Sequence, residues 1–183
     1  DAGIQVKVIT GDNADTTASI AAQAGIVNTA EGLNGSDLAA YSEDQLMSVA
    51  ERTVLFTRMF PDAKLAVINA LKKKGEVVAM LGDGVNDGPA LKAAHIGVAM
   101  GSKGTEIAKA AAALVITNDD LDKLVLGIAA GRRIYANIKK AIQYIISIHI
   151  PIILTVSLPL FLGWLYPQIF SPVHVIFMEL VMG

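Results

Sequence analysis

The sequence predicts an α/β domain built on a parallel sheet, followed by a long apolar helix that enters a membrane. Three observations carry this. Short β-branched runs alternate with helical stretches from residue 1 to about 118, and strands alternating with helices of that length mean βαβ units. Charge is divided unevenly: residues 1–122 hold 10 Lys/Arg against 16 Asp/Glu, whereas residues 123–183 hold 5 against the single acid Glu179. Between Lys140 and Glu179 no residue carries a formal charge at neutral pH. A chain of 183 residues is long enough for one domain with a real core and an appendage.

Each element has its own local cause. "QVKVIT" reads as a strand, and "ADTTASIAAQAG" as a helix closed by Gly25. Ser42 caps the helix "EDQLMSVAER", and the strand "TVLFT" comes next. "PDAKLAVINALKKKG" opens with Pro61 and closes with three lysines and Gly75, the expected start and stop signals of a helix. Then come the strand "EVVAML", the helix "DGPALKAA", the strand "IGVAMG", the helix "KGTEIAKAA" and a last strand, "ALVIT". After "NDDL" the character changes. From Leu121 some forty residues read as helix without a strong stop.

About 20 apolar residues span a bilayer, and Ala141–Leu162 meets that length. Arg132, Arg133, Lys139 and Lys140 lie just before the span, which by the positive-inside rule sets that end in the cytoplasm. "GWLYPQIF" reads as an interfacial turn with Trp164 and Tyr166 at headgroup level, and "PVHVIFMELVMG" as the start of a return span. Cysteine is absent, which excludes disulfides and thiolate metal sites. The N-terminus has neither a basic start nor an apolar run, so no signal peptide is expected. It also lacks an initiator Met and begins in mid-pattern, which reads as an internal piece of a longer protein. No nucleic-acid partner is expected.

The chemistry-bearing residues gather at one edge of the sheet. Ligands of parallel α/β sheets bind beyond the carboxyl ends of the strands. "TGDN" (Thr10–Asn13) comes directly after the first strand, Lys64 sits in the first turn of the helix after "TVLFT", and "GDGVND" comes directly after "EVVAML". A hydroxyl, an ammonium and two carboxylates converge, which suits phosphoryl transfer. Mg²⁺ prefers one or two carboxylates with phosphate oxygens and water. Thr10, the adjacent backbone N–H groups and Lys64 can serve the equatorial phosphoryl oxygens. Gly82 and Gly84 allow close backbone approach, and Asn86 or Asp87 is expected to cap the helix that Pro89 begins. Two acids in one Gly-rich loop repel unless a cation lies near them.

These same stretches resemble a known family. "TGDN", "MFPDAK" and "GDGVNDGPALKAAHIGVAMG" are similar to the C-terminal half of the phosphorylation domain of P-type cation-transporting ATPases, a branch of the haloacid-dehalogenase-like fold, nearest the calcium-type group. The resemblance implies a Rossmann-like, partial parallel sheet over residues 1–120, a stalk helix over 121–140, a fifth membrane helix over 141–163, a loop over 164–171 and the start of a sixth helix over 172–183. It implies Asp83 as the Mg²⁺ ligand, with Asp87 and Asn86 around it, Asp87 also counting as a candidate metal ligand. Thr10, Gly11 and Asp12 match the segment that contacts the transferred phosphoryl group and ATP, and Lys64 the lysine that neutralises phosphoryl charge. The family usually carries Ala where Gly88 stands. Its nucleophile, the Asp of a D-K-T-G motif, occurs nowhere in the chain. The implied protein is an ATP-driven pump, integral to the lipid bilayer with its phosphorylation domain cytoplasmic. The chain itself is expected to be inactive without the nucleotide-binding, actuator and other membrane segments. The alternative is a membrane-anchored phosphatase of the same superfamily.

Within the span, Pro151 removes a backbone donor and frees a carbonyl one turn earlier, near Ser147. Freed carbonyls at mid-membrane can ligate cations. His149 and Glu179 are polar side chains at comparable depth, and Ser147, His149 and Glu179 form the expected path of the transported cation. Calcium-type pumps carry a glutamate in the fifth helix and Asn-x-x-Thr-Asp in the sixth; here the stretches read "SIHIPI" and "MELVMG", which leaves the ion open.

Overall fold

The computed structural model describes residues 3–28, 32–163 and 171–182, without the side chains of Glu179, Val181 and Met182. The chain divides into two units, Asp1–Lys123 and Leu124–Gly183. Strands β1 (Val8–Ile9), β2 (Gly32–Asn34), β3 (Leu55–Thr57), β4 (Ala79–Gly82), β5 (Ile96–Met100) and β6 (Leu114–Ile116) alternate with helices α1 (Ala14–Gln23), α2 (Glu43–Arg52), α3 (Pro61–Lys73), α4 (Gly88–Ala93) and α5 (Glu106–Ala111). Short 3₁₀ turns cover Gly35–Ala40 and Val85–Asp87.

Among the described residues all the strand pairs are parallel, and they form two three-stranded sheets, β1-β3-β2 and β4-β5-β6. Parallel neighbours need a crossover between them, and the helices supply it. The central strand β3 is buried along its length, and its side chains alternate between two clusters. Leu55 packs with Ala21 of α1 and Val54. Phe56 points the other way, into a larger cluster with Val67 and Ile68 of α3, Leu91 of α4 and Ala99 of β5. Period-two alternation thus lets one strand hold helices on both of its faces. The larger cluster joins residues from both sheets into one core.

Local signals explain the helix ends. Asn13 accepts from the Thr16 N–H at the start of α1. Ser42 and Gln45 make a reciprocal capping box on α2. Pro61 stands at the first position of α3, where its missing N–H costs nothing. Lys7 donates to the carbonyls of Glu51 and Thr53, both at 2.7 Å, and so ties β1 to the end of α2. Burial pushes the Lys7 ammonium below the usual lysine range, against the opposing pull of Glu51 and Glu76.

Two features differ from the expectations of the sequence. The strand expected over "QVKVIT" is reduced to Val8–Ile9, and the strand Gly32–Asn34 and the 3₁₀ turn after it carry no pattern in the sequence. The second unit contains α6 (Leu121–Phe161, 41 residues), which begins just before the unit boundary, and α7 (Pro172–Met182). By length and composition α6 can cross a membrane: its most apolar stretch has a mean hydropathy of 2.0 and only 6% of its residues are buried. Trp164 and Tyr166, expected at an interfacial turn, lie outside the described residues.

Candidate active site

The expected site residues lie on the segments that follow the carboxyl ends of β1, β3 and β4. Thr10 leaves β1 hydrogen-bonded to Phe56 of β3 (N–H to carbonyl, 2.9 Å), and its hydroxyl then turns on its own segment. That hydroxyl accepts from the Asp12 N–H at 3.1 Å and donates to the Asp12 carboxylate at 3.2 Å. The turn is fastened to the loop between β3 and α3: Met59 N–H donates to Thr10 and Arg58 N–H to Asp12, both at 2.9 Å. Arg58 adopts φ +49 to make this reach, a conformation that costs a residue with a Cβ roughly 1–2 kcal/mol. Gly11 and Asp12 are exposed, and Thr10 is half-buried.

Lys64 and Asp87 meet. Lys64 Nζ lies 2.6 Å from Asp87 Oδ1, with side-chain exposures of 12% and 10%. The other oxygen, Oδ2, accepts from the Gly84 N–H at 3.3 Å. The expected cap is therefore absent. Neither Asp87 nor Asn86 caps α4 with its side chain, because the Asp87 carboxylate is committed to Lys64 and to its own loop. Gly82 is what makes room: a Cβ there would stand 2.7 Å from Asp87 Cβ, closer than real contacts allow.

Asp83 differs from Asp87 in every respect. It is exposed, and among the described residues no hydrogen bond or ion pair engages its carboxylate. Its main chain is held, since Thr105 N–H donates to the Asp83 carbonyl at 2.8 Å. Among the described residues no hydrogen bond joins the Thr10–Asp12 turn to the Asp83–Asp87 loop. Sequence reasoning missed Thr105, although a Thr before "EIAKAA" is a capping signal, and the structure has Thr105 capping α5.

The residues expected on the ion path belong to the second unit. His149 Nδ1 lies 2.8 Å from the Ile145 carbonyl one turn earlier. Pro151 stands inside α6, and its carbonyl accepts from the Thr155 hydroxyl at 2.7 Å. Ser147 is exposed; Glu179 lies in α7, its side chain outside the described atoms. A cavity of about 640 Å³, lined by Asn28, Leu33, Tyr41 and Arg52 among others, contains none of the expected site residues.

A family model for haloacid dehalogenase-like hydrolases matches residues 1–95, just over half of the chain. The chain belongs to that family. Calcium-transporting ATPase 1 of Bacillus cereus is 41% identical over 181 residues, covering 98% of this chain and 20% of that protein. Probable cation-transporting ATPase F of Mycobacterium tuberculosis is 45% identical over 148 residues, covering 78% of this chain and 16% of that protein. Among solved structures, a zinc-transporting PIB-type ATPase in its E2.Pi state matches with a TM-score of 0.62 at 30% identity, over 84% of this chain and 20% of that one. The family resemblance carried by "TGDN", "MFPDAK" and "GDGVNDGPAL" is thereby borne out, as is the parallel-sheet α/β fold followed by a long apolar helix. The chain spans about a fifth of the length of the curated relatives named here.

Proposed function

We propose that this chain is part of an ATP-driven cation pump, in which Mg²⁺-dependent formation and hydrolysis of an aspartyl-phosphate is coupled to cation transport. One observation carries the reading. At the end of β4 the buried Asp87 is neutralised by Lys64 at 2.6 Å, while the neighbouring Asp83 carboxylate stays exposed and uncommitted. Two acids four residues apart have been given different work, one structural and one available to a cation.

That donor set fits Mg²⁺, which takes one or two carboxylates and completes its octahedron with phosphate oxygens and water. When bound, the ion would neutralise charge on the transferred phosphoryl group. The chain's own residues do the rest. Asp83 would hold the ion, with Asp87 and Asn86 supporting the loop from behind. Lys64, fixed by Asp87, presents positive charge beside the phosphoryl position. The Gly11 N–H would offer a donor to phosphoryl oxygens, joined by the Thr10 hydroxyl and the Asp12 N–H once these exchange their mutual hydrogen bonds for the ligand.

The nucleophile must come from elsewhere in the pump, since D-K-T-G does not occur here. Among the described residues the two strands that lead into "TGDN" and "GDGVND", β1 and β4, are each an edge strand with a single neighbour. An open edge accepts a further strand, and we infer that the strand carrying the nucleophile pairs there. ATP, held chiefly by the nucleotide-binding segment, would deliver its phosphoryl group to that strand. The apolar stretch of α6 and α7 would lie in the bilayer, with the α/β unit on the cytoplasmic side. Ser147, His149 and Glu179 remain the proposed path of the cation, whose identity is open. The test is the intact pump reconstituted in vesicles. ATP hydrolysis should be stimulated by one class of cation, and Glu179→Gln should shift that cation dependence. Hydrolysis indifferent to every cation would contradict the reading.

A further inference from the structure

We propose that Asp119 is a positioning residue for the Mg²⁺-binding loop, an inference that rests on the pump reading above. Asp119 lies two residues before α6 begins, in "NDDL", a stretch that otherwise marks only the end of the α/β alternation. Its carboxylate reaches back to the loop after β5. Oδ1 accepts from the Ser102 N–H and Oδ2 from the Lys103 N–H, both at 2.9 Å. Each oxygen thus has its own backbone donor, and such hydrogen bonds to an ionised carboxylate are roughly twice as strong as neutral ones. Asp119 itself adopts φ +57 to present the group, a conformation Asp tolerates better than most residues. Desolvation works to raise the Asp119 carboxyl, but the Ser102, Lys103 and Gly101 amides and the Lys103 ammonium together hold it below the usual carboxylate range.

The loop so held is short and tight. Gly101 N–H donates to Ile116 at 2.8 Å and the Ser102 hydroxyl to Thr117 at 3.3 Å, so β6 and the turn after it grip the same segment. At Gly104 a Cβ would stand 2.0 Å from the Met100 carbonyl oxygen, so the chain folds back on itself there. The next residue is Thr105, whose N–H donates to the Asp83 carbonyl at 2.8 Å. A continuous run of contacts therefore leads from the Asp119 carboxylate, through four loop residues, to the backbone of the residue proposed to bind Mg²⁺. Asp119 touches neither the ion nor the phosphoryl group; it fixes where Asp83 is offered.

The experiment uses the intact pump with Asp119→Ala and Asp119→Asn. Asp119→Ala should raise the Mg²⁺ concentration for half-maximal phosphoenzyme formation by roughly tenfold, the range seen when groups supporting a metal ligand are removed, with the maximal level unchanged. Amide hydrogen exchange over Gly101–Thr105, measured without Mg²⁺ or ATP, should speed up in the same variant. Asp119→Asn, which keeps one acceptor oxygen, should recover part of both effects. An unchanged Mg²⁺ dependence, or unchanged exchange in the loop, overturns the role of Asp119 alone. A wild-type protein that forms no phosphoenzyme at all contradicts the pump reading, and this inference falls with it.

Discussion

The pair formed by Lys64 and Asp87 shows how burial assigns roles to like residues. Both groups are about nine-tenths buried on their side chains and meet at 2.6 Å, so neither can be removed without stranding the other's charge. Breaking such a pair from one side costs about 3–5 kcal/mol. Lys64→Ala should therefore lower stability by about 3 kcal/mol, read from the urea midpoint, while Lys64→Met combined with Asp87→Asn should recover most of it. A loss below about 1 kcal/mol would class the pair with exposed surface bridges instead. The sequence makes the two acids visible but not the difference between them. "GDGVND" gives Asp83 and Asp87 the same local surroundings, and only the long-range approach of Lys64, 23 positions away, separates them. Asp119 was hidden for the same reason: its partners lie 16 and 17 residues back.

At the scale of elements, the helices were legible because their signals are local. Ser42 with Gln45 and Pro61 at the head of α3 each act within one turn. Strand β2 was not legible, because its residues, Gly-Leu-Asn, disfavour a strand by composition; pairing with β3 overrides that preference. The shortening of β1 has the same origin, since among the described residues only Val8 and Ile9 stand in register with β3, and Thr10 adds one N–H bond to Phe56 before the chain turns. Helix α4 offers a test of local propensity. Gly88 is helical in backbone, and a Cβ there would meet only Ile107 Cγ2, at an ordinary 3.6 Å. Gly88→Ala should thus stabilise the domain by about 0.5–1 kcal/mol, seen as a higher melting temperature. A lower melting temperature would mean that the loop needs the freedom of Gly88.

For the whole molecule, the two units read as two solvents. The first has an acidic surface around a packed core; the second is a 41-residue helix with apolar side chains exposed on every side, and then a shorter apolar one. Length, the basic residues at 132, 133, 139 and 140, and the absence of charge up to Glu179 made this division plain from sequence. The pairing of strands into two sheets was not plain, because each sheet ends at the strand that leads into "TGDN" or "GDGVND", and a strand outside the chain is proposed to join them. The central claim is that Asp83 holds the Mg²⁺ that phosphoryl transfer requires. It is tested most directly by phosphorylating the intact pump from labelled ATP, with Asp83 and with Asp83→Ala. An acid-stable phosphoenzyme is expected in the wild type and none in the variant, at a protein level and fold that are unchanged. Equal phosphorylation of the two proteins would show that Asp83 does not hold the ion.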